Sequence, residues 1–590
     1  MMNEKMRWIT PIREKILSSC DHTETKAYFV GGIVRDAIIG RDNKDIDICV
    51  VGHPTPKIAR RLVSSLPDDV RKEITNDLKR SGGGTDLVKF LSESGGAIAL
   101  SIDLFLSGMG SKPVVYTRFL TAMSTIDGLQ VEFTGARHDI YEKREGRNSR
   151  QRNPSSVKSA DERSDARRRD FTINALFVDL EDLSLLDPTG MGLNDIENGI
   201  IRTTRPEEPH IVFGDDPLRI LRAIRFSAQL GFSIEENTRS CIERMTREKG
   251  DEFFSRNGFV SMERTRDELC KMLLSDRPEM ALTMMSDIGM LGIVIPELQA
   301  LREIKNIGHK DIWHHTLIVM RNATEIPDDL IAACEEVEEG SFQMIKLRIM
   351  LSTMLHDIGK IQTRDYGTST CGACGLDIEM KDEPFRECEC GEIVEFDRDS
   401  VTFHDHHKIS SKMAKEILYR MKFERQMAEW VGEDCFLHTL DERFMGDGTF
   451  STSTEKRSPM LPIERLINKL SASRGEYDPK WGRVNELVRW HIIYSDASGK
   501  SRTIRNVVSD LRSMASEVQE LRAEEAERIR ANKPIIDGSE LQEIFGMGPG
   551  KWIGEIHQRM REDRLENPDI HDRDRAMEIS RSVVRELFGR

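Results

Sequence analysis

The sequence lacks any run of about 18 apolar residues, so it offers no stretch that would cross a membrane as a helix. Its opening, MMNEKMRWITPIREK, is too charged for a secretory signal peptide, and the cytoplasm is the expected compartment. An excess of positive charge is missing too: 86 Lys and Arg stand against 101 Asp and Glu, a net charge of −15. That argues against a general coat for nucleic acid, although a local basic surface is enough for phosphate contact. One stretch qualifies, residues 143–169, with ten Lys or Arg against four acids. Between Arg147 and Asp165 its composition predicts a solvated, mobile loop. Nor is there a disulfide framework. Of ten cysteines, six stand singly (Cys20, Cys49, Cys241, Cys270, Cys334 and Cys435), as expected in a reducing compartment.

What is present points to a large, helix-rich globular protein. At 590 residues the chain is too long for one core, and three or four domains are expected. Apolar residues make up 38% and charged residues 32%. Residues 27–51, AYFVGGIVRDAIIGRDNKDIDICVV, read as strand, tight Gly-Gly turn, short helix and second strand. Residues 66–112 look like an elaborated or inserted region. Strand-like sequence returns over 114–133, with IDG as the hairpin turn, and again in FTINALFVDL (171–180). From Asp216 onward nearly everything has helical period, apart from a loop over 446–458. The fold class is therefore α+β, with a mixed first third on an all-α body.

The chemistry starts at KDIDICVV. Alternate residues of a strand share a face, so Asp45 and Asp47 point one way while Ile46 and Ile48 enter the core. Two carboxylates roughly 7 Å apart along the backbone are hard oxygen ligands for Mg²⁺. Two such ions about 4 Å apart activate an attacking hydroxyl and stabilise a leaving pyrophosphate. Upstream, Gly31 and Gly32 free backbone N–H groups at a helix start, a ready site for a triphosphate, with Arg35 one turn in. Either motif alone is weak; both within 25 residues are much stronger.

GGIVRDAIIG followed by DIDI resembles the signature of the class II tRNA nucleotidyltransferase (CCA-adding enzyme) and bacterial poly(A) polymerase superfamily, whose head resembles the DNA polymerase β palm. Five further segments resemble its blocks in order: VEFTGARHDIY (131–141), RRRDFTINAL (167–176), DPTGMGLNDIENGIIRTT (187–204), DDPLRILRAIRFSAQLGF (215–232) and SMERTRDEL (261–269). The resemblance implies a nucleotidyltransferase head over 1–205, with the insertion at about 66–112, and a nucleobase-selecting helical neck over 206–280. It also implies an HD-type helical body over 281–500 and an RNA-binding helical tail over 501–590. In the head, Asp45 and Asp47 would be catalytic and hold magnesium. Arg169 and Asp170 would hold sugar and phosphates, Asp216 and Arg219 would read the base edge, and Arg222 and Arg225 would complete the nucleotide site. A carboxylate accepts from the exocyclic amino group that cytosine and adenine share, and uracil and guanine lack it there. Asp216-Pro217 also reads as an ordinary helix start, and Asp215 stands where the family usually has Glu. Glu132 is a candidate third carboxylate.

Two metal-ligand patterns remain. HKDIWHHTLIVM (309–320), LHDIGK (355–360), FHDHHKISSKMAKEILYRMKF (403–423), FLHTL and YSDASGK resemble an HD phosphohydrolase domain. By position, His315, His356, Asp357 and Asp496 would hold a divalent metal, and His404, His406 and His438 would line its pocket. Within that region, over 362–400, lies Cys371-x₂-Cys374, thirteen residues, then Cys388-x-Cys390, a set that suits structural Zn²⁺. In the tail, GMGPGKW (546–552) reads as a Gly-Pro helix start and an anion site.

The expected activity is template-independent addition of CCA to a tRNA 3′ end from CTP and ATP. A poly(A) polymerase, or an enzyme adding only CC or only A, shares every motif. A phosphohydrolase whose head only binds RNA is the alternative from another class.

Overall fold

The computed structural model describes residues 6–43, 45–82, 84–140, 156–255, 258–304, 311–338, 340–380, 385–395, 402–438, 479–500, 535–566 and 573–588, with a few positions between 470 and 516. The loop expected over 446–458 lies outside the described residues. The fold is α+β. The chain divides into two compact units, residues 1–447 with 473–501, and residues 448–472 with 502–590. Among the described residues, no helix is long and apolar enough to cross a membrane.

The first unit opens with helix α1 (Thr10–Thr23), then β1 (Lys26–Val30), α2 (Gly32–Ile39) and β2 (Ile46–Val51). Gly31 makes the turn between β1 and α2 at φ 76°, where a side chain would be strained and its Cβ would sit 3.3 Å from Asp47 Oδ2. Helix α3 (Pro56–Ser65) comes next, and helices α4 (Asp68–Arg80), α5 (Leu87–Glu93) and α6 (Gly96–Leu106) occupy the expected insertion. The last of them is no appendage. Helix α6 is buried along Gly96–Leu104 and packs on the sheet, because GAIALSIDLFL is apolar on every face.

Strands β3 (Val114–Tyr116), β4 (Thr121–Ile126) and β5 (Leu129–Gly135) follow. Asp127 and Gly128 turn the β4–β5 hairpin, both at positive φ, as a two-residue turn demands. With β8 (Phe177–Asp179) and β9 (Leu185–Leu186) they build a seven-stranded mixed sheet in the order β3-β4-β5-β2-β1-β8-β9. Strands β2 and β5 run parallel, which sets Asp47 beside Glu132.

The expected mobile loop is corrected by the structure beyond residue 155. Residues Ser156–Ser159 form β7, paired with β6 (Arg137–Ile140), and Glu162–Arg168 form helix α7. Asp161 caps α7 by accepting from the Ser164 N–H. Asp165 is fully buried because Arg168 and Arg169 clasp its two carboxylate oxygens.

Beyond residue 205 the described chain is helical except for short two-stranded pairs. The helices used below are α8 (Pro209–Asp215), α9 (Leu218–Leu230), α10 (Met262–Leu273), α11 (Ile312–Asn322), α12 (Ser341–Leu355), α13 (His406–Arg420), α14 (Arg425–Leu437) and α15 (Pro479–Lys500). A buried ion cluster ties three of them together. Arg348 of α12 donates to both oxygens of Asp434 of α14 at 2.7 and 2.8 Å and to Asn485 of α15 at 2.5 Å. Arg489 and Ser352 also donate to Asp434. Removing Asp434 leaves the buried Arg348 guanidinium without its anion and takes one of two carboxylates from Arg489. Asp434→Ala is therefore expected to destabilise the unit by about 3–5 kcal/mol in denaturant unfolding.

The second unit has its own small core of Ile536, Leu541, Trp552, Ile556, Met560, Ala576, Val583 and Val584. In GMGPGKW, Gly546 ends helix Gly538–Phe545 in the left-handed conformation, and helix Lys551–Glu566 begins five residues later.

Candidate active site and metal centres

Apart from Glu132, the head and neck residues singled out above line one cleft of about 620 Å³: Gly31, Gly32, Arg35, Asp45, Asp47, Arg169, Asp170, Asp216, Arg219, Arg222 and Arg225. Asp45 immediately precedes β2 and is exposed; Asp47, on the strand, is half-buried. Ile46 and Ile48 point into the core, at 2% and 0% exposure. Burial pushes the Asp47 carboxyl up to about 6, and the charges of Glu132 and Asp45 push the same way against Arg169 and Arg222. A carboxylate crowded by two others is short of positive charge, which is the signature of a cation site made of hard oxygen donors.

The arginines divide into a rigid floor and an exposed rim. Arg35 is buried, bonded to both oxygens of Asp36 and to Asn174, and stacked on Phe226 at 4.8 Å. Its guanidinium is committed to the floor rather than free for phosphate. Asp170 is likewise committed. Arg222 donates to it at 2.7 Å, Asn174 at 3.1 Å and the Phe171 N–H at 2.8 Å. Burial opposes its ionisation, yet Arg222 and Arg219 hold its carboxyl well below the usual range. Arg225 pairs with Glu268 at 2.6 Å and lies on Phe226 at 4.0 Å. Arg169 is fixed by Asp165 and lies over Phe177.

Asp216 sits between α8 and α9, in extended backbone, accepting from the Leu218 N–H. Arg264 of α10 donates to both of its oxygens, at 2.7 and 3.3 Å. Arg219 donates to the carbonyls of Val212 and Arg168. Arg264 was not singled out from the sequence. A signal was present: Arg264, Glu268 and Lys271 follow i, i+4, i+7 spacing along α10 and so share the face that meets α9. Asn43, Asn174 and Gln229 line the cleft as well and were also missed.

A second cleft of about 540 Å³ shares Asp47 and Arg169 with the first. Glu132, Arg137, Arg168, Tyr116 and Phe119 line it. Glu132 thus stands beside Asp47 in the cleft that Asp216 and Arg219 do not line.

In the helical part, His315, His356, Asp357 and Asp496 come together with His406 and His438. His315 Nε2 lies 2.8 Å from Asp496 Oδ1 and 3.4 Å from His356 Nε2. Asp357 Oδ2 is 3.3 Å from His356 Nε2, and its Oδ1 is 3.4 Å from both His406 Nε2 and His438 Nε2. Asp357 is buried, which opposes its charge, but Lys360 and His356 hold its carboxyl well below the usual range. Burial drops His438 to about 4, so its ring is neutral and able to ligate. The structure corrects the expected place of His404. Asp405 takes a left-handed conformation at φ 57°, the chain turns before α13 begins at His406, and His404 is left exposed.

The four clustered cysteines also converge. Cys371 Sγ lies 3.6 Å from Cys390 Sγ, and Cys374 Sγ lies 3.4 Å from Cys388 Sγ, with all four sulfurs within 4.8 Å of one another. Two short hairpins, Thr368–Thr370 with Asp377–Glu379 and Phe385–Glu387 with Ile393–Glu395, present them. Backbone N–H groups of Cys374 and Ala373 lower the Cys371 thiol to about 7. Little apolar packing holds this segment beyond Ile378 and Val394, so four thiolates on one Zn²⁺ suit it. Changing all four cysteines to serine is expected to remove one zinc per chain in elemental analysis; unchanged zinc would contradict the assignment.

Residues 27–81 and 106–202 match the family described as the poly A polymerase head domain, and residues 231–301 match the probable RNA and SrmB-binding site of polymerase A. By these matches, residues 27–301 carry the head domain and the RNA-binding segment of the poly(A) polymerase superfamily. A tRNA nucleotidyltransferase of Schizosaccharomyces pombe is 30% identical over 309 residues, 52% of this chain and 52% of that protein. The chain thus spans about half the length of that relative. An A-adding tRNA nucleotidyltransferase of Deinococcus radiodurans is 23% identical over 406 residues, 68% of this chain and 74% of its own. A solved Thermotoga maritima CCA-adding enzyme complexed with tRNA is 19% identical, aligned over 98% of this chain and 95% of that one, with a TM-score of 0.46. The superfamily's head match spans both Asp45 and Asp47 and breaks only over residues 82–105, where α5 and most of α6 lie.

Proposed function

We propose that this chain is a cytoplasmic, template-independent tRNA nucleotidyltransferase that adds C, C and A to the tRNA 3′ end from CTP and ATP, releasing pyrophosphate. The observation that supports it most is the single cleft in which Asp45 and Asp47 stand between the Gly31–Gly32 turn and the Asp216, Arg219 and Arg264 group. Asp45 and Asp47 would hold Mg²⁺, with Glu132 beside them, and their oxygen donors suit that ion. When bound, magnesium activates the attacking hydroxyl and neutralises charge on the leaving group.

The protein's own residues do the rest. Backbone N–H groups at the start of α2 face the triphosphate. The Asp170–Arg222 pair and the buried Arg225–Glu268 pair keep the nucleotide floor rigid. Asp216 and Arg219, at its rim, present an acceptor and a donor to the base edge. The RNA end enters by the second cleft, past Arg137 and Arg168. Its terminal 3′ oxygen bonds to the α-phosphorus while the bond from that phosphorus to the bridging oxygen breaks. In this reading residues 1–205 are the catalytic head, 206–280 the selecting neck, 281–500 the HD-type body and 501–590 the tail that holds tRNA.

The test is incubation with tRNAs lacking one, two or three terminal nucleotides and each NTP in turn. Incorporation of CTP, CTP and ATP that stops after three is the expected result. Addition of A alone would assign an A-adding enzyme, and unlimited A addition a poly(A) polymerase.

A further inference from the structure

A polar contact joins the insertion to the second cleft. We propose that Asp77 of α4 is a positioning residue for RNA: through Thr117 it aims Tyr116 and Phe119 at the terminal base of the incoming chain. The proposal rests on the reading that the RNA end enters by the second cleft.

Strand β3 needs support from outside the sheet. It is three residues long and lies at the sheet edge, paired with β4. The register sets Tyr116 opposite Thr121, Met123 opposite Glu132 and Glu132 opposite Asp47. Alternation therefore puts Tyr116 on the same face of the sheet as the two carboxylates. Val115 and Ala122 face the other way and join the insertion core with Ile74 and Leu78 of α4. Helix α4 thus backs the sheet edge while Tyr116 stands at the front. Directly after Tyr116 the chain makes a single 3-10 turn, Thr117–Phe119, and Leu120 leaves it in the left-handed region at φ 53°. A leucine takes that conformation only where its neighbours impose it.

Bonds at both ends impose it here. Asp77 Oδ2 accepts from the Thr117 N–H and from the Thr117 hydroxyl, each at 2.8 Å, and Ser81 Oγ lies 2.8 Å from that hydroxyl. At the far end Arg137 donates to the Phe119 carbonyl. Helix preference does not account for Asp77, which stands in the last turn of α4, where the helix dipole disfavours a carboxylate. Near a cleft for RNA its charge is a further cost, because it repels phosphate. What the carboxylate gains is two bonds to buried Thr117, which fix both the backbone and the side chain of the residue between the rings. Tyr116, 46% exposed, and Phe119 line the cleft. An aromatic face stacks any base, so it holds an RNA end without reading its sequence. Strands β3 and β2 are three spacings apart in the sheet, about 14 Å. That leaves room for a terminal nucleotide with its base on the rings and its 3′ oxygen toward Asp47.

The test uses the full chain and a tRNA that lacks its terminal nucleotide and carries 2-aminopurine as its last base, a fluorophore quenched by stacking. Without any NTP, saturating parent protein should quench it at least about twofold, and Tyr116→Ala and Asp77→Ala should each restore the emission. Asp77→Asn, whose amide oxygen still accepts both Thr117 bonds, should quench like the parent. In single-nucleotide extension of unlabelled tRNA, Asp77→Ala should raise KM for tRNA about 10-fold, with kcat and the nucleotide KM within about twofold of the parent. If Tyr116→Ala quenches like the parent, the RNA end lies elsewhere, and the reading of the cleft fails together with the proposal. If Tyr116→Ala loses the quench and Asp77→Ala keeps it, the cleft reading stands and the proposal is overturned. A fall in kcat with an unchanged KM for tRNA overturns it as well, because that marks Asp77 as scaffold. Should Asp77→Ala not fold, Thr117→Val, which loses the hydroxyl bond and keeps the N–H bond, takes its place with the same deciding outcomes.

Discussion

Asp47→Ala is expected to lower nucleotide addition by at least about 10³-fold, measured as single-nucleotide extension of tRNA at saturating CTP, while the protein remains folded. The loss follows from what surrounds the carboxylate. Asp47 stands at the meeting of both clefts, beside Glu132 in the parallel β2–β5 register and next to the Gly31 turn. With Arg169 it lines both clefts. Folding, by contrast, gains little from it. Burial and neighbouring acids raise its pKa from 3.8 to about 6. A carboxyl whose folded value is raised disfavours the folded state increasingly as pH climbs from 4 to 6, and fully above that. Metal-free Asp47→Asn should therefore be no less stable than the parent at pH 7. Stabilisation by CTP with magnesium, seen as a rise in Tm, should vanish in the variant. A variant that unfolds would instead place Asp47 in the scaffold.

Asp216→Ala is expected to erode base choice more than speed. The ratio of kcat/KM for CTP or ATP over UTP should fall about 10²-fold or more, because an acceptor matched to an exocyclic amino group is what penalises uracil. Arg264 holds that carboxylate from α10, with its own side chain half-exposed. Arg264→Ala should therefore weaken selection in the same direction but by less, since Asp216 keeps its bond from the Leu218 N–H. Asp170→Ala should behave differently. It strips the anion from half-buried Arg222 and leaves Asn174 without its acceptor, so the cleft floor and stability should suffer for every nucleotide alike.

Legibility in the sequence followed the range of the interactions. Asp45, Asp47, Gly31 and Gly32 were readable because strand alternation and a tight turn are local, and 25 residues contain all of them. The Asp127-Gly128 hairpin was readable for the same reason. Glu132 was visible only as a polar strand residue, since its place beside Asp47 depends on parallel pairing across more than 80 residues. The Asp216–Arg264 pair spans 48 positions, and only the face of α10 hinted at it. Composition misled over residues 156–165. Charge there suggested a solvated loop, but Arg168 and Arg169 turn inward to neutralise buried Asp165. Adjacency misled at FHDHH, where one left-handed residue separates exposed His404 from His406. Arg35, read from the helix start, and Asp170, taken from the resemblance, both line the cleft, and only the packed structure reveals that they bond to neighbours instead of standing free.

The most direct check is a crystal structure of the full chain with Mn²⁺ and a non-hydrolysable CTP analogue. Anomalous density between the Asp45 and Asp47 oxygens, the triphosphate against the Gly31–Gly32 backbone and the cytosine edge on Asp216 and Arg219 is the outcome predicted here. Nucleotide bound elsewhere, or manganese away from those two carboxylates, would contradict it.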